Sequence, residues 1–178
     1  MTVKTYNGPM QGLVYVVKDK KTLCVDASVC PKEKIDLLVL THCHFDHLLA
    51  INEIIARDKP EILASIKAAK HLAKLDTATM CNYAPHIKPI KVTKKLKDKD
   101  KIKVGKYTLE VITTPGHTDG GICLYEPKEQ WLFSGDTIFS GGGIGRLDCP
   151  TGDIMAIKKS LAKLGKLTVK KLFPGHSY

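Results

Sequence analysis

The chain of 178 residues carries 28 basic and 18 acidic side chains, which give a formal net charge of +10. Its hydrophobic content of 43% and its charged content of 26% are ordinary for a globular protein, and a chain of this length can bury one sizeable core. The sequence contains no run of about 18 apolar residues, the length needed to span a bilayer. Its first residues do not resemble a signal peptide. We therefore expect a single cytoplasmic domain over 1–178.

Six cysteines are scattered along the chain without any Cys-x-x-Cys pair. In a cytosolic protein this spacing predicts free thiols rather than a disulfide framework. The excess of basic residues is compatible with a nucleic acid or an acidic substrate as partner, and it establishes neither.

Two β-rich runs at 13–18 and 22–26 predict an N-terminal hairpin, because they are separated by a charged turn. Asp26 ends the second run. It is either a group that hydrogen-bonds beneath the histidines that follow, or a plain carboxylate at the end of a strand. An apolar run at 35–40 predicts the next strand.

The sequence Thr-His-Cys-His-Phe-Asp-His at 41–47 directly follows that apolar run and holds three histidines and one carboxylate within six residues. Neutral imidazole is the commonest metal ligand in proteins. We therefore interpret this run as a group of metal ligands at a strand end, the alternative being a polar loop whose histidines face water.

Helical spacing follows at 47–57, and again at 66–75 after a short buried strand at 61–64. On the second of these helices His71 is interpreted as a solvated residue, and His86 has equally little to mark it as a ligand. Nine lysines lie between 88 and 106, but polar and apolar residues alternate at 101–112. That alternation favours a hairpin with one solvated face over a nucleic-acid surface.

Three later strand-like runs also end in candidate ligands, which are His117, Asp136 and His176. A glycine at 116, 135 and 175 immediately precedes each of them, which allows a sharp turn. A helix is predicted at 154–164, with Asp153 or Thr151 as its N-cap. Because side chains at the ends of several strands can converge on one edge of a sheet system, we expect a common site.

Together these motifs supply seven candidate metal ligands, which are His42, His44, Asp46, His47, His117, Asp136 and His176. Seven ligands exceed what one tetrahedral zinc needs, so we predict two divalent ions, preferably zinc, with iron or manganese as alternatives. Such a pair lowers the pKa of a bridging water and stabilises an oxyanion. The predicted reaction is hydrolysis by a metal-bridging hydroxide, with Asp46 and Asp136 as the catalytic carboxylates.

The His-x-His-x-Asp-His run and the later His, Asp and His resemble the hallmark of the metallo-β-lactamase superfamily over 13–178. The resemblance implies an α/β fold, the four-layer αββα sandwich. It also implies a first metal held by His42, His44 and His117, a second held by Asp46, His47 and His176, and Asp136 as the bridge between them.

Within that superfamily, Thr-Pro-Gly-His-Thr at 114–118, Ser-Gly-Asp-Thr-Ile-Phe at 134–139 and Gly-x-Gly-Arg at 143–146 resemble the glyoxalase II group, which hydrolyses thioesters such as S-lactoylglutathione. This resemblance implies that Arg146 and Tyr178 contact the substrate. The C-terminal helical domain that supplies further glutathione contacts in that group is not expected here. The expected substrate is a small anionic thioester.

Two other functions stay open. The segments at 41–44 and 145–148 also resemble the persulfide dioxygenases, in which one iron is bound by residues matching His42, His117 and Asp136. The other is a metal-dependent nuclease that uses the lysine-rich hairpin to hold nucleic acid. Nucleic acid is the less favoured partner, because the glycine-rich loop of Arg146 suits a small anion, and the oligomeric state is left open.

Overall fold

The computed structural model describes residues 3–177, and these form eleven strands and three α-helices. The strands are β1 Lys4–Asn7, β2 Leu13–Lys18, β3 Thr22–Val25, β4 Leu37–Val39, β5 Glu61–Ser65, β6 Lys94–Leu96, β7 Lys101–Val104, β8 Tyr107–Thr113, β9 Ile122–Glu126, β10 Trp131–Gly135 and β11 Lys171–Pro174. The helices are α1 Ile51–Asp58, α2 Ile66–Lys74 and α3 Ile154–Leu164. None of the helices in this described part is long and apolar enough to cross a membrane.

The strands form two sheets. In the first, the order is β1-β2-β3-β4-β5-β6, antiparallel from β1 to β3 and parallel from β3 to β6. In the second, the order is β11-β10-β9-β8-β7, with β10 and β11 parallel and the other neighbours antiparallel. Both sheets are therefore mixed, and each contains parallel strands whose carboxyl ends share an edge.

Alternation along the strands builds a core on each face of the first sheet. In β2, Tyr15 and Val17 point into the core between the two sheets, whereas Val14 and Val16 point to the outer face, where α1 and α2 pack. On the other side of the molecule, Leu164 of α3 packs with residues on the outer face of the second sheet. The layers run helix, sheet, sheet, helix, which confirms the predicted αββα sandwich.

Both predicted hairpins are present. β2 pairs antiparallel with β3, and β7 pairs antiparallel with β8. In β7 the lysines at 101 and 103 are exposed while Ile102 and Val104 are buried, as expected for a strand with one solvated face. Asp153 is the N-cap of α3, and its side chain accepts hydrogen bonds from the backbone N–H groups of Met155 and Ala156.

Three local features differ from the sequence-based expectation. The helix predicted at 47–57 begins only at Ile51, because Phe45–His47 forms a 3-10 turn. β1 and β6 were not predicted as strands. β1 is mostly exposed and β6 is three residues long with two exposed lysines, so neither has a core pattern of its own and each forms by pairing at a sheet edge.

The two sheets meet where the candidate ligands lie. Ile122 of β9 donates a backbone hydrogen bond to the carbonyl of Thr41, just after β4, over 2.9 Å. Gly175 N–H donates to the Gly135 carbonyl over 2.8 Å, joining the ends of β11 and β10. The segments that follow β4, β10 and β11 are thus held against one another at a single edge.

Candidate metal centre

All seven predicted ligands lie in one cluster at this edge. They form three overlapping groups, whose ligand atoms lie within 4.8 Å of one another in each group: His42, His44 and His117; His42, His47 and Asp136; and Asp46, His47 and His176. Six of the seven side chains are buried, and Asp46 is partly exposed. Two of these groups match the two metal positions implied by the sequence resemblance, and Asp136 lies between them.

Four of the five histidines have a partner on the outer ring nitrogen. The Nδ1 atom of His42 lies 3.1 Å from Thr41 Oγ1, and that of His47 lies 3.0 Å from Asp26 Oδ2. The Nδ1 atom of His117 lies 2.7 Å from the Arg146 carbonyl, and that of His176 lies 3.1 Å from the Met10 carbonyl. Carbonyl and carboxylate oxygens only accept, so Nδ1 carries the proton in the last three histidines. Thr41 Oγ1 donates to Asp26, so it accepts from His42 Nδ1–H in turn.

These outer contacts turn the Nε2 atoms inward, where several have no partner. Among the described residues, Nε2 of His42, His44 and His117 is buried without a hydrogen bond. A buried polar atom left unpaired costs about 1–3 kcal/mol, so three converging lone pairs are unfavourable unless a cation binds them. The nitrogen and oxygen donors suit zinc or another transition metal, and the residues therefore fit the predicted metals.

The first group is kept neutral. Burial lowers the pKa of His44 to about 3, and neighbouring histidines add to the effect. Burial likewise lowers the pKa of His42 and of His117. Neutral imidazole is the form that binds a metal, so this group is ready to bind one without losing protons.

The second group carries opposite charges. Burial lowers the pKa of His176, but Asp136 and Asp46, each 3.3 Å from its Nε2, outweigh burial and raise that pKa to about 9. Burial also opposes protonation of His47, whose Nε2 lies 3.2 Å from Asp136, and the carboxylates still hold its pKa above the ordinary value. Positive charge between these groups is therefore stabilised, whether a proton or a metal ion carries it.

Two glycines make the close approach of the strand ends possible. Gly135 has a φ of +48°, and a Cβ there would lie 2.6 Å from Thr41 Oγ1. Gly175 needs no left-handed backbone, but a Cβ there would overlap Asp136 Oδ1 and would lie 2.8 Å from His47 Cε1. The sequence suggested that glycine was needed at 175 for a turn, whereas the structure shows that it is needed for space.

Asp26 is the group that hydrogen-bonds beneath the histidines, rather than a plain carboxylate at the end of a strand. Its side chain is 2% exposed, accepts from the Thr41 N–H over 2.8 Å, and receives Nδ1–H of His47. It thus lies beneath the cluster and orients one of the candidate ligands.

Five of the seven candidate ligands form the floor of a cleft of about 560 Å³: His44, Asp46, His117, Asp136 and His176. Its walls are largely apolar and include Met10, Met80, Phe139 and Ile144. Arg146 also lines the cleft, with its side chain 67% exposed and its guanidinium making two 2.7 Å hydrogen bonds to Asp148. Tyr178, the other predicted substrate contact, lies outside the described residues.

The interpretation of His71 as a solvated residue is wrong. Its ring is 19% exposed and lies between two carboxylates, with Nδ1 2.8 Å from Asp76 and Nε2 3.0 Å from Asp119. Asp119 reaches it from the loop that carries His117, which helical periodicity could not reveal. His86 lies outside the cluster, as expected, and its Nε2 lies 3.0 Å from the Leu49 carbonyl.

Sequence reasoning missed two backbone groups at the site. The carbonyls of Met10 and Arg146 hold the outer nitrogens of His176 and His117. Every residue has a backbone carbonyl, so the residue type could not indicate which carbonyls would bind these histidines.

Comparison with known proteins gives consistent results. A family model described as the metallo-beta-lactamase superfamily matches residues 26–176. A probable metallo-hydrolase of Methanocaldococcus jannaschii is 37% identical over 147 residues, which are 80% of this chain and 69% of that protein. A hydroxyacylglutathione hydrolase of Hydrogenovibrio crunogenus is 35% identical over 146 residues, 82% of this chain and 46% of that protein, so this chain spans about half its length. The crystal structure of the BLEG-1 B3 metallo-beta-lactamase has a TM-score of 0.83 at 26% identity, covering 99% of this chain and 92% of that chain.

Proposed function

We propose that this protein, which belongs to the metallo-beta-lactamase superfamily and is a metal-dependent hydrolase, cleaves thioesters. The observation that carries the proposal is the convergence of seven nitrogen and oxygen donors in one cluster, five of which line the cleft, with three buried Nε2 atoms that have no hydrogen bond. The similarity to hydroxyacylglutathione hydrolases supports a thioester as the bond that is cleaved.

The donor set divides naturally between two divalent ions, preferably zinc, with iron or manganese as alternatives. His42, His44 and His117 would hold one ion and Asp46, His47 and His176 the other, with Asp136 between them. When bound, such ions lower the pKa of water towards neutrality and polarise a carbonyl oxygen.

The two carboxylates face the cleft and differ in exposure. The Asp136 side chain is 8% exposed, whereas the Asp46 side chain is 16% exposed. A carboxylate at the cleft floor can take the proton that leaves an attacking water and return it to the departing thiolate. Asp46 is the better placed of the two for this transfer, since it is closer to solvent.

Arg146 would bind an anionic group of the substrate at the wall of the cleft. Its partner Asp148 is 68% exposed, and ion pairs between exposed side chains contribute about 1 kcal/mol or less. A substrate carboxylate can therefore replace Asp148 at small cost. Tyr178 stays a predicted contact, and a cytoplasmic location is part of the proposal because the six cysteines are free thiols.

Metal analysis combined with three activity assays tests this function. We expect about two zinc ions per chain, cleavage of S-lactoylglutathione or a simpler thioester, and no oxygen uptake with glutathione persulfide. One iron per chain with oxygen uptake would instead identify a persulfide dioxygenase. Salt-sensitive RNA cleavage without thioester cleavage would identify a nuclease.

A matched pair of variants ties any activity to the cluster. Asp136→Asn should abolish thioester cleavage, because it removes the charge between the two metal groups. Asp100→Asn changes a partly exposed carboxylate that accepts the Lys97 N–H and does not line the cleft, and it should leave cleavage unchanged. Equal activity of the two variants would count against the assignment of Asp136.

A further inference from the structure

The side chains that line the cleft are sharply divided by polarity. The polar ones are five of the candidate metal ligands on the floor, together with Arg146. The rest of the wall is formed by apolar side chains and by glycines of the 141–145 loop. An apolar wall beside a polar floor is the arrangement that binds an apolar chain attached to a reactive polar group.

Two methionines of this wall have an unusual backbone. Met10 has a φ of 55° and Met80 a φ of 54°, a left-handed conformation that residues with a side chain rarely adopt. Such outliers persist only where the surrounding structure holds them, and they concentrate at ligand-binding sites. Met10 is also 57% exposed, although it is a large apolar side chain.

Both methionines are tied to the metal cluster through the backbone near them. The Met10 carbonyl accepts the Nδ1–H of His176 over 3.1 Å. Cys43, between two candidate ligands, donates through its Sγ to the Ala78 carbonyl over 3.5 Å, two residues before Met80. The backbone at or near each methionine is therefore anchored to the ligand-bearing part of the chain.

The structure also leaves room for a chain to extend out of the cleft. A Cβ added at Gly141 or Gly142 would meet nothing within 4 Å, so the loop at this wall is open. Methionine side chains are flexible and polarisable, and they adapt to apolar ligands of varying shape.

From these observations, and resting on the proposed thioester hydrolysis, we infer that the acyl group of the substrate is an apolar chain bound against Met10 and Met80. In hydrolysis the oxygen of water bonds to the acyl carbon as the carbon–sulfur bond breaks. One proton of water goes to the thiolate, so the products are a thiol and a carboxylic acid. The acid keeps the acyl chain, and it can therefore be used to probe the wall.

Binding of acetate, butyrate and hexanoate to the metal-loaded protein tests the inference without requiring turnover. We expect affinity to rise by about fourfold for each methylene that is buried. Met10→Ser and Met80→Ser should flatten this rise, and Met10→Leu should retain it because the wall stays apolar. Met155→Ser is the matched control, since Met155 is 60% exposed on α3 and does not line the cleft.

Turnover gives a second readout. The ratio of kcat/KM for the hexanoyl and acetyl thioesters of N-acetylcysteamine should be well above one in the wild type, and should fall towards one in Met10→Ser and Met80→Ser. The ratio cancels the fraction of active protein, so a loss of folded enzyme does not move it.

The outcomes separate this inference from the function on which it rests. If affinity for the carboxylates does not depend on chain length, the apolar wall has no role and the inference is overturned, whether or not thioesters are cleaved. If affinity rises with chain length but no thioester is cleaved, the inference about the wall is supported and the proposed thioester hydrolysis fails.

Discussion

His47 donates through Nδ1–H to Oδ2 of Asp26 over 3.0 Å, and the two side chains are only 1% and 2% exposed. Asp26 also binds the backbone N–H and the hydroxyl of Thr41, so the carboxylate is fixed on three sides. The ring of His47 therefore has one orientation, with Nε2 directed into the ligand cluster. A residue that touches no metal position thus determines which atom a candidate ligand presents.

We predict that Asp26→Asn weakens metal binding by about 10- to 100-fold, the usual effect of losing a partner behind a ligating histidine. Asparagine tolerates the left-handed backbone at this position, where φ is 62°, so the fold should persist. Competition with a coloured chelator measures the affinity. Asp36→Asn is the control, because Asp36 is exposed and its side chain accepts the Thr22 N–H outside the cluster. Equal affinities in the two variants would refute the role of Asp26.

Metal removal should destabilise the protein and loosen its last strand. A ligand present at 1,000 times its Kd stabilises a fold by about 4 kcal/mol, so we expect a chelator to lower Tm by about 10 °C. Calorimetry with and without chelator measures this difference. His176→Ala should reduce it and should lower the metal content, whereas His86→Ala, which changes an exposed histidine, should not. An unchanged Tm on chelation would argue against a metal role for His176.

Gly175→Ala should disrupt the site by steric conflict. A Cβ at this position would overlap Asp136 Oδ1, so we expect a loss of about 2 kcal/mol in the free energy of unfolding together with weaker metal binding. Gly141→Ala is the same substitution at a position where the added Cβ would have no atom within 4 Å. It should change the free energy of unfolding by no more than about 0.5 kcal/mol. Urea titration compares the two, and similar losses would show that the space at Gly175 is not limiting.

The contact between Glu33 and β1 should make stability depend on pH. Glu33 accepts hydrogen bonds from Lys4 Nζ and Tyr6 Oη, each over 2.6 Å. Burial raises the pKa of its carboxyl, but these two hydrogen bonds outweigh burial and hold that pKa at about 2, below the ordinary 4.5. Because the pKa is lower in the folded state, the stabilisation is present above the ordinary pKa of 4.5 and is lost as pH falls through about 2.

Glu33→Gln should therefore lower the free energy of unfolding by about 1 kcal/mol at pH 7, a modest value because Lys4 is 62% exposed and its charge is screened by solvent. The difference from the wild type should be clearly smaller at pH 3. Urea unfolding at both pH values measures it, with the exposed Glu61→Gln as control. A difference that does not change with pH would contradict the mechanism.

The sequence by itself determined the hairpins, the last helix and the candidate ligands, and the layer architecture was implied by the family resemblance of those ligands. Strand and helix periodicity are local, so the hairpin of β2 and β3 and the helix α3 could be predicted from neighbouring residues. The ligands could be recognised because imidazole and carboxylate side chains follow apolar runs at 41–47, 117, 136 and 176. Edge strands such as β1 could not be predicted from the sequence, because they form only when a neighbouring strand supplies their hydrogen bonds.

Only the tertiary structure decided how the ligands are oriented. The carbonyl that holds His117 belongs to a residue 29 positions away, and the carbonyl that holds His176 belongs to a residue 166 positions away. Every residue has a carbonyl, so residue types do not show which one will lie beside a histidine. The same reason applies to the close approach of Gly175 to Asp136 and to the pairing of His71 with Asp119. These contacts depend on distances between segments that only the packing of the two sheets sets.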